Sequence, residues 1–304
     1  MSYPRDQSIF YKVTSPQMLA DRLGMPLAEV QSLCEAADNY KRWTDKLSGR
    51  PIQEPMPKLD KVHKRVARLL AKIETPDYLH SAIRGRSYIT NAEKHTVDAG
   101  CVKIDVRKFY PSVRAQAVHH FFLDRMHCTG DAAGILTKLL TVDGHLPTGS
   151  SSSPILSYLA YEDMFQELEA LSIERGCVMT VYVDDVVFTG PGATRAMLYA
   201  ARRIFGKYRL HAHKTKMFRA GQPRIITGVA VTKDGMRLPN KRQKCIADDF
   251  ATFDHLPDGY EKLVVARRLT GRLFEASQVD ATWRRKAETM AVERDTLNKY
   301  ARRA

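Results

Sequence analysis

Along this chain the apolar positions recur at two spacings, and the change between them predicts where helices give way to strands. Over residues 58–74, Leu59, Val62, Val66, Leu69 and Ile73 fall three or four apart, and Lys61, Lys64, Arg65, Arg68 and Lys72 occupy much of the remainder. This is the pattern of an amphipathic helix with a basic outer surface. Ser15-Pro16 offers a cap followed by a proline at the first helical position, and Met25-Pro26 leads into Leu27, Val30, Leu33 and Cys34, so helices are expected to dominate the first third. Ser48-Gly49-Arg50-Pro51 reads as a turn between them. Further on, Cys101–Val106 alternates like a strand, and residues 178–188 read as two short strands around Asp184-Asp185. Residues 154–174 and 193–205 are predicted helices, and beyond Pro257 the chain turns helical and strongly charged again. A composition shift near 235–240 marks the best subdomain boundary.

Composition narrows the possibilities. At 304 residues and 44% apolar content the chain is ordinary for a globular protein. No run approaches the roughly 18 apolar residues of a bilayer span. The opening MSYPRDQSIF lacks the charged-then-apolar order of a signal peptide. A cytoplasmic protein without membrane association is expected. Cys34, Cys101, Cys128, Cys177 and Cys245 never form a CxxC pair, and His119-His120, His211 and His213 lack ligand companions at metal spacing. These spacings argue against a zinc site and a disulfide framework. Charge adds a positive clue: Lys+Arg 48 against Asp+Glu 34, with thirteen basic residues and one acidic, Asp234, between 202 and 244. Such clustering suits a polyanionic partner, most simply nucleic acid, but names no reaction.

The candidate chemistry lies in carboxylates. Asp105 ends one predicted strand, and Tyr182-Val183-Asp184-Asp185 occupies the tip of the predicted hairpin. Two apolar strands that each deliver a carboxylate at one end can lie side by side. Mg²⁺ takes carboxylate oxygens at about 2.0–2.1 Å in octahedral geometry, completed by water and phosphate. Two such ions about 3.5–4 Å apart activate a 3′-hydroxyl and stabilise leaving pyrophosphate. An Asp-Asp pair alone is equally ordinary turn chemistry. The flanking residues decide between the two.

Asp105-Val-Arg-Lys-Phe-Tyr-Pro-Ser, Leu146-Pro-Thr-Gly-Ser-Ser-Ser-Ser-Pro-Ile-Leu-Ser and Tyr182-Val-Asp-Asp resemble, in order and spacing, three conserved blocks of reverse transcriptases. Gly49-Arg50-Pro-Ile-Gln-Glu-Pro55 is similar to the fingers motif of the bacterial enzymes, and His213-Lys214-Thr-Lys to their lysine-bearing block. The resemblance covers roughly residues 40 to 230. Within the family, Gly85-Arg86-Ser-Tyr-Ile-Thr-Asn91-Ala92-Glu-Lys-His95 resembles the NAxxH signature of the retron branch. Ile226-Thr227-Gly228 resembles its VTG signature, with Ile in place of Val.

The resemblance implies an α+β right-hand polymerase fold. Fingers would span 1–100 and 115–145. The palm, an antiparallel sheet with helices, would span 101–114 and 146–235, and a small helical thumb 236–304. Asp105, Asp184 and Asp185 would be the catalytic, metal-binding carboxylates holding two Mg²⁺ ions. Clustered acids raise one another's pKa unless cations bind, so the site would be metal-dependent. Arg50, assisted by Lys46, would bind the triphosphate of an incoming dNTP. Tyr110 would lie beneath its sugar and exclude a 2′-hydroxyl, or else simply pack with Phe109. Gly149 would allow close approach of the nucleotide. Thr148 stands where the family usually has Gln, which puts nucleotide positioning and fidelity in question, along with the effect of serines 150–153. Lys214 would donate to the leaving pyrophosphate, or be one more cation in a basic run. Asn91, His95, Thr227 and Gly228 would contact RNA.

What the resemblance implies further is RNA-templated DNA synthesis on a cognate structured noncoding RNA, primed by an RNA 2′-hydroxyl to give a branched RNA–DNA product. A bacterial antiphage role with a separately encoded effector protein is also implied. A group II intron-like or diversity-generating reverse transcriptase is the alternative enzyme, and a non-catalytic RNA-binding scaffold the alternative of another class. NAxxH favours the retron, and retention of all three aspartates argues against the scaffold.

Overall fold

Short strands and capped helices follow from local chemistry here. A computed structural model describes residues 2–46 and 48–301, so the last three residues of the expected thumb lie outside the described residues. Ser15 accepts a hydrogen bond from Met18 N and opens α1 (Pro16–Leu23), which Gly24 closes in the left-handed conformation. α2 (Leu27–Glu35) follows. Where only a turn between helices was expected, β1 (Tyr40–Thr44) and β2 (Pro51–Pro55) form an antiparallel hairpin, Tyr40 opposite Pro55 and Thr44 opposite Pro51. β1 is exposed at all but Tyr40, so it lacks the inside–outside alternation by which a strand is recognised.

α3 (Pro57–Leu70) buries Leu59, Val62, His63, Val66 and Leu70 along one stripe. The helix ends short of Ile73, which instead bridges Tyr3. After α4 (Tyr88–Glu93) come β3 (Cys101–Val106), α5 (Phe109–Ser112), α6 (Ala115–His120) and α7 (Gly130–Leu140). The helix expected over 154–174 is two: α8 (Ser153–Ala160) and α9 (Glu162–Glu174). Tyr161 separates them at φ −121°, ψ 25°, outside helical geometry. β4 (Val178–Tyr182), β5 (Asp185–Thr189), α10 (Arg195–Lys207) and β6 (Ala212–Phe218) follow. Next come the small antiparallel meander β7 (Arg224–Ile226), β8 (Val229–Thr232) and β9 (Gly235–Arg237) and the helices α11 (Asn240–His255), α12 (Tyr260–Val279) and α13 (Arg284–Ala301). The last helical region thus begins at Asn240, earlier than Pro257 suggested. Among the described residues no helix is long and apolar enough to cross a membrane.

The chain divides into two compact units. The first comprises residues 1–87 and 101–217, and the second 88–100 and 218–304. In the first, a four-stranded sheet of order β4-β5-β3-β6 packs with helices around one apolar core that includes Phe10, Ile104, Phe122, Leu156 and Phe188. In the second, α11, α12 and α13 enclose a separate core around Leu269 and Leu273. Its meander is joined by the segment carrying α4. Arg224, 2% exposed, donates to the carbonyls of Val97, Ala99, Arg219 and Gln222.

Candidate active site

β3 and β5 pair antiparallel with Asp105 directly opposite Asp185. β4 and β5 form a hairpin with Tyr182 opposite Asp185, leaving Val183 and Asp184 as its two-residue loop. Val183 takes φ +59°. Two-residue hairpin loops favour positive φ at this position, but a β-branched side chain there costs on the order of 1–3 kcal/mol. The backbone holds it in place: Val183 N donates to Ser81 Oγ at 3.1 Å, and Val106 N to Asp184 O at 3.0 Å. All three carboxylates therefore lie at one end of paired strands.

They are neither exposed nor buried. Burial, then the charges of Asp105 and Asp185, push Asp184 up to about 6. Burial, then Asp185, likewise raises Asp105, while Lys214, Lys103 and His213 work against the rise. Arg50 opposes the rise at Asp184. Arg50 and Lys214, both exposed, thus lie within electrostatic reach of the carboxylates. Lys46 is exposed on the hairpin turn that carries Arg50. Lys103 Nζ pairs with Asp185 Oδ2 at 2.8 Å. That partner was missed in the sequence, although Lys103 and Asp105 alternate on one face of an otherwise apolar strand.

Among the described residues no three His, Cys, Asp or Glu side chains form a cage for a metal. Asp105 and Asp184 are instead two partly desolvated oxygen donors, and the charge of Asp105 adds to burial in raising the pKa of Asp184. That donor set fits Mg²⁺, which binds through one or two carboxylates and takes its remaining ligands from water and substrate phosphate.

Tyr110, in the single turn of α5, packs against the core beside Phe109, with ring centroids 6.1 Å apart. It also feels Asp184 and Tyr182, which add to the effect of burial in raising its hydroxyl pKa. It therefore both packs and borders the carboxylates. Thr148 Oγ1 donates to Pro51 O at 2.8 Å and accepts from Gln53 N at 3.1 Å. Its short side chain stitches the loop to β2. Gly149 N donates to Gln53 O at 3.1 Å. A Cβ at Gly149 would stand 2.9 Å from both Gln53 O and Ile52 Cγ2, so only glycine fits this approach.

The remaining expected site residues belong to the second unit, where the structure brings the two signatures together. Asn91 is fully buried and His95 3% exposed, so neither offers its side chain freely to solvent. Asn91 Nδ2 reaches Thr227 Oγ1 at 3.4 Å, and Thr227 Oγ1 donates to Tyr88 O at 2.7 Å. Thr227 and Gly228 both take positive φ, +45° and +87°, in the tight turn between β7 and β8. The Arg242 guanidinium stacks 5.4 Å from the centre of the Tyr88 ring and pairs with Glu275 at 3.0 Å.

Comparison with known proteins matches residues 45–231 to the family described as reverse transcriptase (RNA-dependent DNA polymerase). The chain is 30% identical over 141 residues to the Retron Se72 reverse transcriptase of Salmonella heidelberg (strain 579083-10), covering 46% of this chain and 37% of that one. It is 24% identical over 273 residues to the Retron Mx162 reverse transcriptase of Myxococcus xanthus, covering 76% and 56%. Against the Retron Ec86 reverse transcriptase of Escherichia coli it is 24% identical over 204 residues, covering 64% and 62%. The chain spans less than two thirds of the length of each of these relatives. Paired strands that deliver three carboxylates to one end, and a family match over more than half its length, lead to one conclusion: this α+β chain belongs to the reverse transcriptase family, and the relatives named above are retron reverse transcriptases.

Proposed function

We propose that the chain is the RNA-directed DNA polymerase of a retron. It would copy part of a cognate structured noncoding RNA into single-stranded DNA primed from an RNA 2′-hydroxyl. The observation that carries this reading is the placement of Asp105 opposite Asp185, with Asp184 at the adjoining hairpin tip. In this reading the fingers comprise 1–100 and 115–145, the palm 101–114 and 146–235, and the thumb 236–304.

Asp105 and Asp184 would hold divalent metal, with Asp185 as the third carboxylate; Mg²⁺ bound there would supply Lewis-acid activation of the 3′-hydroxyl and charge neutralisation at the triphosphate. Arg50 and Lys46 grip the triphosphate, and Lys214 neutralises charge that builds on the leaving pyrophosphate. Gly149 lets the loop lie close against β2 beside the nucleotide, while Thr148 holds the loop by its backbone partners in β2. Tyr110 sets the floor under the sugar. Asn91 acts from inside, bonded to the Thr227–Gly228 turn that RNA approaches, and His95 serves RNA binding from the same segment. The clustered basic residues track phosphates, which makes binding fall steeply with salt. The product serves a bacterial antiphage system with a separately encoded effector, in the cytoplasm.

The test is expression from the native flanking locus. The purified protein is expected to carry single-stranded DNA covalently joined to RNA, resistant to complete removal by RNase. Asn91→Ala is expected to reduce this product far more than extension of a DNA-primed generic RNA template. Extension of the generic template without any branched product would refute the retron reading and leave a reverse transcriptase of another kind.

A further inference from the structure

The loop that carries Thr148 and Gly149 is tied down by a polar cluster to which the proposed reaction assigns no role. His63 lies in the buried stripe of α3 and is 0% exposed. Its Nδ1 sits 2.5 Å from Ser150 Oγ and 2.8 Å from Ser152 Oγ, and the two hydroxyls are 3.0 Å apart. Its Nε2 sits 2.9 Å from Leu139 O and 3.2 Å from Tyr40 Oη. A carbonyl can only accept, so Nε2 carries the proton and Nδ1 accepts from a serine. Burial pushes the imidazole down to about 4, which keeps it neutral and holds this tautomer near pH 7.

The cluster joins β1 through Tyr40, α3 through His63, the end of α7 through Leu139 and the loop through Ser150 and Ser152. One step earlier in the same loop, Thr148 and Gly149 are bonded to β2. Both strands of the hairpin whose turn bears Arg50 are therefore fastened to the loop that bears Gly149. Ser153 Oγ closes the loop on itself by donating to Pro147 O at 2.6 Å.

We propose that His63, acting through Ser150 and Ser152, is a positioning residue for the incoming nucleotide: it sets the spacing between the Gly149 loop and the Arg50 hairpin. This rests on the reading above that Arg50 and Gly149 bind the dNTP. Pre-set spacing lowers the cost of ordering the pocket around its substrate, and small displacements of binding groups weaken it disproportionately.

The experiment compares the full-length wild type with His63→Ala, His63→Gln and the double variant Ser150→Ala/Ser152→Ala, by single-nucleotide incorporation on a primed RNA template. Melting temperature and template affinity are measured alongside. The double serine variant is expected to raise the dNTP KM by about tenfold, with kcat within about twofold and template affinity unchanged. His63→Gln keeps one donor and one acceptor and is expected to recover part of the KM lost in His63→Ala. If His63→Ala does not fold, the serine variant, which removes only two hydroxyls, carries the test. A folded serine variant with unchanged KM and only a lower melting temperature overturns the proposal, as does a loss confined to kcat. A wild type that incorporates no nucleotide overturns the polymerase reading itself and this proposal with it. An active wild type with unaltered variants overturns this proposal alone.

Discussion

At one end of the two inner strands of the four-stranded sheet, three acids are held half-open, and burial first, then the charge of neighbouring carboxylates, leaves Asp184 and Asp105 reluctant to ionise. In the second unit, Asn91, Thr227 and Tyr88 are drawn together into a hydrogen-bonded cluster in which Asn91 is buried and Thr227 and Tyr88 are half-buried. Both regions were conspicuous as motifs, yet their electrostatics differ in kind. The first gathers like charges in a partly desolvated place, and perturbed groups of that kind cluster at functional sites. The second is already bonded internally, with only Asn91 Oδ1 buried and lacking a hydrogen-bond partner among the described residues of this cluster. The comparison teaches that a conspicuous polar residue can be tied up inside the fold: Asn91 is bonded to the Thr227–Gly228 turn rather than open to solvent.

The sharpest way to break this contrast is Asp184→Asn. DNA synthesis is expected to fall by at least about a thousandfold, since removing a metal-binding carboxylate costs several kcal/mol in the transition state. Folding should survive. Near-wild-type extension in Mg²⁺ would mean the open site is not the catalytic one. The same variant tests the electrostatics without activity. In metal-free protein the folded-state pKa of Asp184, about 6, lies above its ordinary 3.8. Its contribution to stability is therefore full at low pH and is lost as pH rises through about 6. Asp184→Asn should flatten that part of the melting-temperature profile.

A closed cluster titrates in the opposite sense. His63, pushed from 6.5 to about 4, stays neutral in the folded protein while the unfolded chain takes up a proton. Stability should therefore decline as pH falls from about 6.5 to about 4, by roughly 3 kcal/mol at 1.36 kcal/mol per pKa unit. Asp60 is the charged neighbour that opposes the shift. Denaturant titrations of His63→Gln at pH 5 and pH 7 should lack this component, and an identical pH dependence would place the proton elsewhere.

Smaller effects sharpen the picture. Tyr110→Ala should narrow the preference for dGTP over GTP, measured as kcat/KM on one template, because it opens space beside Asp184. An unchanged ratio would leave Tyr110 as a packing residue. Thr227→Val removes the hydroxyl that Tyr88 O and Asn91 share, and should cost about 1 kcal/mol in stability. Guanidinium unfolding that shows no loss would break the idea of a closed, internally bonded cluster.

The chain's own pattern determined much. Alternation over Cys101–Val106 announced a strand with Asp105 on its polar face, the Ser15 cap opened α1 as expected, and the ordered motifs carried the family. These are local signals, set by periodicity and turn chemistry within a few residues. The β1–β2 hairpin was hidden because its residues are mostly exposed and do not alternate, and the break at Tyr161 lies inside an unbroken helical pattern. Only tertiary structure decided that Asp105 faces Asp185, that Lys103 pairs with that carboxylate, and that Asn91 meets Thr227 across 136 positions. His63 went unremarked in the sequence, and only the structure placed it in the buried stripe of its helix with Ser150, Ser152 and Leu139 beside it. The reason is physical: a strand or helix is specified by neighbours along the chain, whereas the state of a polar group depends on the partners and the burial that only packing supplies.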